Sequence, residues 1–136
     1  MIIDALKVYI ATQTGLACYV GEAPLSAGRC VVIDDNGDFD DRHWGYNGQI
    51  TSGLIEQECE ITIWTDLEGG GPKWAKQQAQ TIKLLLNNFQ GPLIDTASSP
   101  SVTHRVAFIE SNDGGGSLDS VPEKWGHSVF CTITYT

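Results

Sequence analysis

One eleven-residue stretch limits what this chain can fold into more than any other: Leu54-Ile55-Glu56-Gln57-Glu58-Cys59-Glu60-Ile61-Thr62-Ile63-Trp64. Its side chains alternate with period two. Ile55, Cys59, Ile61 and Ile63 point one way, and Glu56, Glu58, Glu60 and Thr62 point the other. A helix cannot sort these residues onto two faces, but a strand can. The oily face must cover a core. The opposite face then carries a row of carboxylates that repel one another at every second position.

The next segment explains what the oily face covers. Gly69-Gly70-Gly71-Pro72 breaks the strand, and helical periodicity follows from Trp74 to Phe89. Trp74, Ala75, Ala79, Ile82, Leu85, Leu86 and Phe89 form one apolar face, while Lys73, Lys76, Gln77, Gln80, Lys83 and Asn87 form the other. Proline suits the first turn, and Gly91-Pro92 suits the stop. An earlier helix is expected from residue 2 to about 20, on the spacing of Ile2, Leu6 and Ile10. Cys30-Val31-Val32-Ile33 reads as a short strand. Two further alternating segments begin at Val102 and at Trp125.

Two stretches read as long connections. Residues 34–53 hold Asp34, Asp35, Asn36, Gly37, Asp38, Asp40 and Asp41, with Phe39, Trp44 and Tyr46 between the polar residues. Asn36-Gly37 is a two-residue turn signal. Residues 110–124 include Asp113, Gly114, Gly115 and Gly116. Connections of this length in compact domains are typically functional or disordered. They are expected to carry assembly contacts, at Asp38, Phe39, Trp44 and Tyr46 in the first and at Asp113 and Gly115 in the second. The whole predicts a single α+β domain over 1–136. It has an antiparallel or mixed sheet of about four strands and two helices packed on one face.

Bulk chemistry narrows the function. Lys plus Arg total 8 against 17 Asp plus Glu, a formal charge of −9 in 136 residues. Bulk charge therefore does not attract nucleic acid or an anionic membrane. No apolar run reaches the ~20 residues of a membrane span. The N-terminus has no basic leader, so a cytosolic chain is expected. Cys18, Cys30, Cys59 and Cys131 form no C-x-x-C pair and lie in apolar stretches, as buried free thiols would. No phosphate loop, nucleophile elbow or zinc-protease motif is present. No enzyme activity, metal or cofactor is expected.

Three local features keep alternatives open. Asp34, Asn36, Asp38 and Asp40 fall at alternate positions, as oxygen ligands for calcium would, although Phe39 stands where a calcium loop needs glycine. A small calcium-binding or hydrolytic domain using this cluster and His43 is one reading. His104 and His127 lie on neighbouring predicted strands, which allows a paired site. The row Glu56, Glu58 and Glu60 is either a solvated sheet face or the lining of a passage for another polyanion, since carboxylates repel phosphate.

The order of elements resembles the tail-terminator, or tail-completion, proteins of long-tailed bacteriophages. The resemblance rests on the starting helix Met1-Ile2-Ile3-Asp4-Ala5-Leu6 and the strand Cys30-Val31-Val32-Ile33. It continues through the strand from Glu58 to Asp66, the helix from Trp74 closing in Phe89-Gln90-Gly91-Pro92-Leu93, and the end Val129-Phe130-Cys131-Thr132-Ile133-Thr134-Tyr135. It implies a homohexameric ring that caps the tail tube, ends its polymerisation and joins the tail to a head-completion, stopper or neck protein. DNA passes through the lumen without specific binding. Glu56, Glu58 and Glu60 are then expected to face that lumen. The location implied is the virion tail or neck, assembled in the host cytoplasm, with no membrane partner. Another neck or minor tail component of similar fold is the related alternative.

Overall fold

A computed structural model describes residues 2–24, 27–44, 50–66, 71–120 and 123–136, with backbone alone for 38–44, 50–53, 117–120 and 123. Tyr46 lies outside the described residues, as do the side chains of Asp38, Phe39 and Trp44.

The first helix, α1 (Ile2–Thr14), buries Ile2, Ile3, Ala5, Leu6 and Ile10. It is shorter than its periodicity suggests. Gly15 takes φ +72°, which glycine adopts at little cost, and its N–H caps the Ala11 carbonyl. The chain then turns into β1 (Cys18–Val20), a strand where more helix was expected. β1 runs parallel to β2 (Cys30–Trp44), which pairs antiparallel with β3 (Ile50–Asp66). α2 (Gly71–Leu86) follows, then β4 (Gly91–Asp95), β5 (Val102–Ser120) and β6 (Glu123–Tyr135). Among the described residues six strands lie in the order β1-β2-β3-β6-β5-β4, two more than about four.

The two additional strands are β1 and β4, and the two supposed connections lengthen the strands that were expected. Residues 34–53 are mostly strand: β2 and β3 stay paired out to Trp44 opposite Ile50. The Asn36-Gly37 signal marks a register shift between Asp35 and Gly37 instead of a turn. Residues 110–120 likewise belong to β5, paired with β6 out to Ser120 opposite Glu123. Glycine and aspartate disfavour strands through entropy and competing local hydrogen bonds, so both stretches read as loops. Long-range pairing overrides that preference here. Two of the glycines are also needed as strand residues. A Cβ on Gly116 would collide with the Trp125 ring, and one on Gly126 would sit 2.8 Å from the Trp64 ring. Each indole lies where a side chain would otherwise stand.

Both helices cover one face of the sheet, and the core lies between them. Ile33, Ile61, Ile63, Ile82, Leu86, Ile109 and Ile133 are completely buried. The inward positions of β3 from Gln57 to Ile63 are buried, with Cys59, Ile61 and Ile63 in the core. The alternation expected from Val102 fails midway. Val106 pairs with Tyr135 but Phe108 with Thr134, so Ala107 is an extra residue on β5. The bulge turns Ile109 inward and Phe108 outward, where it is 44% exposed. Phe89 also departs from expectation. It lies beyond the end of α2, half-buried, with its ring 5.0 Å from that of Tyr9 on α1.

All four cysteines are buried and carry free thiols. Cys59 and Cys131 face each other across β3 and β6. The Cys59 thiol is pushed far up, first by its hydrogen bond to Cys131 and then by burial. Burial pushes Cys18 up to about 11. Thiolate is the reactive form. A colorimetric thiol reagent at mildly alkaline pH should therefore react slowly with the folded chain and promptly with all four groups once it is unfolded. Four fast groups in the folded protein would contradict this packing.

Candidate functional site

The sheet face turned away from the helices is assembled from four strands. Along β3 it presents Glu56, Glu58 and Glu60, with Glu58 exposed and the other two half-buried. Register adds neighbours that sequence spacing could not supply. Glu60 lies between Asp34 on β2 and Phe130 on β6. Glu58 lies beside Thr132, which pairs with Glu110 on β5. Glu56 lies beside Thr134, which pairs with Phe108. The face therefore brings together the carboxylates of Asp34, Glu56, Glu58, Glu60 and Glu110. Phe108 and Phe130 also sit on it, and Phe130 is 45% exposed.

Local bonding shows how the repulsion is tolerated. Ser128 Oγ donates to Glu60 Oε1 at 2.8 Å and lies 3.2 Å from Thr62 Oγ1. Asp34 responds to the crowding. Its carboxyl is pushed above the usual range, first by burial and then by the charge of Glu60. The face is a fixed negative surface with hydroxyls interspersed. Among the described residues no group of three or more His, Cys, Asp and Glu could hold a metal ion.

The calcium reading loses its backbone. Asp34 and Asn36 lie in β2, and an extended chain spreads alternate residues ~7 Å apart instead of wrapping them round one cation. The histidine pairing also fails. His104 lies opposite Leu93 of β4, while His127 lies opposite Gly116 near the other end of β5.

His127 has a different partner, which sequence reading missed. Its Nε2 is 2.6 Å from Asp113 Oδ1, and Asp113 also accepts the Gly115 N–H at 3.0 Å. A register shift between Asp113 and Gly115 builds this turn within β5. Asp113 and Gly115, expected as contact residues of a loop, thus pin a bulge in the β5–β6 hairpin. The Asp113 carboxyl is held below its ordinary 3.8, first by the Gly115 N–H and then by His127. A depressed carboxylate adds stability above its unfolded pKa and loses it as pH falls through the folded value. Asp113→Asn should therefore melt lower than the parent near neutrality, with the gap narrowing on acidification below about pH 4. A gap constant down to pH 2 would contradict this.

A solved chain from the "Virion of native gene transfer agent (GTA) particle" superposes on this fold with a TM-score of 0.56, at 16% identity, over 97% of this chain and 94% of its own. The chain shares its fold with a virion component. A second solved chain is less similar, with a TM-score of 0.47 and 12% identity over 97% of this chain and 89% of its own. No family model and no curated protein matches the sequence.

Among the described residues no helix is long and apolar enough to cross a membrane. The carboxylate row was legible because one strand carries it. Asp34, Glu110 and the two phenylalanines joined it only through strand register, which leaves no local signature.

Proposed function

We propose that this chain is a structural protein of a phage-type virion, assembled as a homohexameric ring of the tail-terminator kind. In this reading the ring caps a tail tube and ends its growth. Its other side meets a head-completion, stopper or neck protein. The observation that carries the reading is the fold likeness to a chain of a gene transfer agent virion, which spans nearly the whole of both chains. The sequence resemblance to tail terminators supports the same position.

The acidic sheet face suits a ring through which DNA passes. Fixed carboxylates repel phosphate over about a Debye length, ~8 Å at physiological salt. DNA then slides without adhering. We assign Glu56, Glu58 and Glu60 to that lining, and we assign the chain no catalytic role. The test is location. Antibody against the chain should label purified particles at the junction of head and tail. Particles that lack the chain, or labelling along the tube or over the head, would overturn the reading.

A further inference from the structure

One inward row of the sheet differs from the aliphatic row of Ile33, Ile61 and Val129 beside it. Asp35 on β2 lies opposite Cys59 on β3, Cys59 opposite Cys131 on β6, and Cys131 opposite Ser111 on β5. Ser111 Oγ donates to the Lys83 carbonyl of α2 at 3.0 Å. Asp35 is exposed at the other end. Its Oδ1 accepts from Gln57 Nε2 at 2.7 Å and from the Gly37 N–H at 2.8 Å. The row thus runs from solvent, at the register shift in β2, to the underside of α2. Its middle is two thiols.

Those thiols meet directly. Cys59 is 1% exposed and Cys131 3%, and the two side chains share a hydrogen bond. Residues opposed across an antiparallel ladder have Cα atoms about 4.5 or 5.5 Å apart, according to whether the pair exchanges backbone hydrogen bonds. A disulfide takes Cα separations of about 4.4–6.8 Å. Both kinds of pair fall in that range, so closing the bond asks little of the backbone. The other two cysteines lack this relation. Cys18 lies beside Val31, the residue after Cys30, so alternation sends Cys18 and Cys30 to opposite sides of the sheet. Solvent also stands close to the pair, because exposed Asp35 is the lateral neighbour of Cys59, one strand spacing of ~4.8 Å away.

We propose that Cys59 and Cys131 are a latent disulfide, which hydrogen peroxide closes into a staple between β3 and β6. One thiolate attacks a peroxide oxygen and the O–O bond breaks. Hydroxide leaves, takes up the thiol's proton as water, and that cysteine becomes a sulfenic acid. The second sulfur attacks the sulfenyl sulfur. Its proton and the hydroxyl leave as a second water, and the S–S bond forms. Two thiols and one peroxide thus give one disulfide and two waters. The hydrogen bond to Cys131, and then burial, hold the Cys59 proton in place, so closure takes lasting exposure. A reducing compartment keeps the pair open, and an oxidising one closes it. The closed loop, residues 59–131, restricts the unfolded chain and so raises stability. The pair belongs to the fold of one subunit and stands whether or not copies form a ring.

Mass spectrometry of the full chain tests it. The folded parent is held in hydrogen peroxide at mildly alkaline pH, quenched, unfolded and alkylated. The four cysteines fall in four tryptic peptides, residues 8–29, 30–42, 43–73 and 125–136, so every link is identifiable. Two of the four thiols should be lost, with a mass decrease of two hydrogens and a link joining 43–73 to 125–136. The melting temperature of the oxidised chain should rise by about 5 °C or more, and dithiothreitol should reverse both changes. Cys131→Ser should form no link. Four thiols still alkylated after prolonged exposure overturn the proposal. So does oxygen added at Cys59 or Cys131 in place of the link, or a link through Cys18 or Cys30. A link that leaves the melting temperature unchanged or lower overturns the staple. The parent alone decides among these outcomes if Cys131→Ser fails to fold.

Discussion

Ile82→Ala should lower the free energy of unfolding by about 2–5 kcal/mol, the cost of emptying a fully packed aliphatic site. Ile82 is completely buried on the face of α2 that covers the sheet, together with Ala75, Ala79 and Leu86. The loss combines the transfer of three carbons with the void left between helix and sheet. The melting temperature should fall by on the order of 10 °C. Leu84→Ala, two residues later on the exposed side, should stay within about 0.5 kcal/mol of the parent. The pair forms an internal control, because both shorten a branched aliphatic side chain on one helix. Equal melting temperatures would show that the helix face is wrongly placed. Phe89→Ala should fall between them, since Phe89 is half-buried and loses its contact with Tyr9.

The second large effect is on DNA. Glu56→Lys/Glu58→Lys/Glu60→Lys exchanges a row of anions for cations on the outward side of β3. The core side of that strand is untouched, so the fold should survive. Glu60 loses the bond from Ser128, a modest cost at a half-buried site. Each added cation facing phosphate releases counterions, so binding should appear and weaken steeply with salt. A gel shift across a salt series should show no complex for the parent and a salt-sensitive one for the triple variant. A variant that still ignores DNA at low salt would remove the lumen assignment and leave the row a solvated face.

The sequence made the inner half of this architecture plain. The middle of β3 and of β6 shows period-two patterning, and α2 keeps its 3.6-residue stripe, so Cys59, Ile61, Ile63, Ile82, Leu86, Cys131 and Ile133 were readable as core. Irregularity hid the remainder. The bulge at Ala107 shifts the alternation of β5 by one residue, and a shift of one inverts every later side chain. The Asp- and Gly-rich parts of β2 and β5 have poor strand propensity and are strands through pairing with distant residues. Gly116 and Gly126 resemble loop residues but lie beneath indole rings. The acidic face was half legible for the same reason. One strand's worth of carboxylates is a local pattern, whereas Asp34 and Glu110 join it through register.

Native mass spectrometry of the parent chain reads whether its copies close into a ring. A dominant species of six subunits of 14.8 kDa is expected, without a ladder of larger sizes. A monomer, a dimer or an open-ended series at every accessible concentration would contradict it.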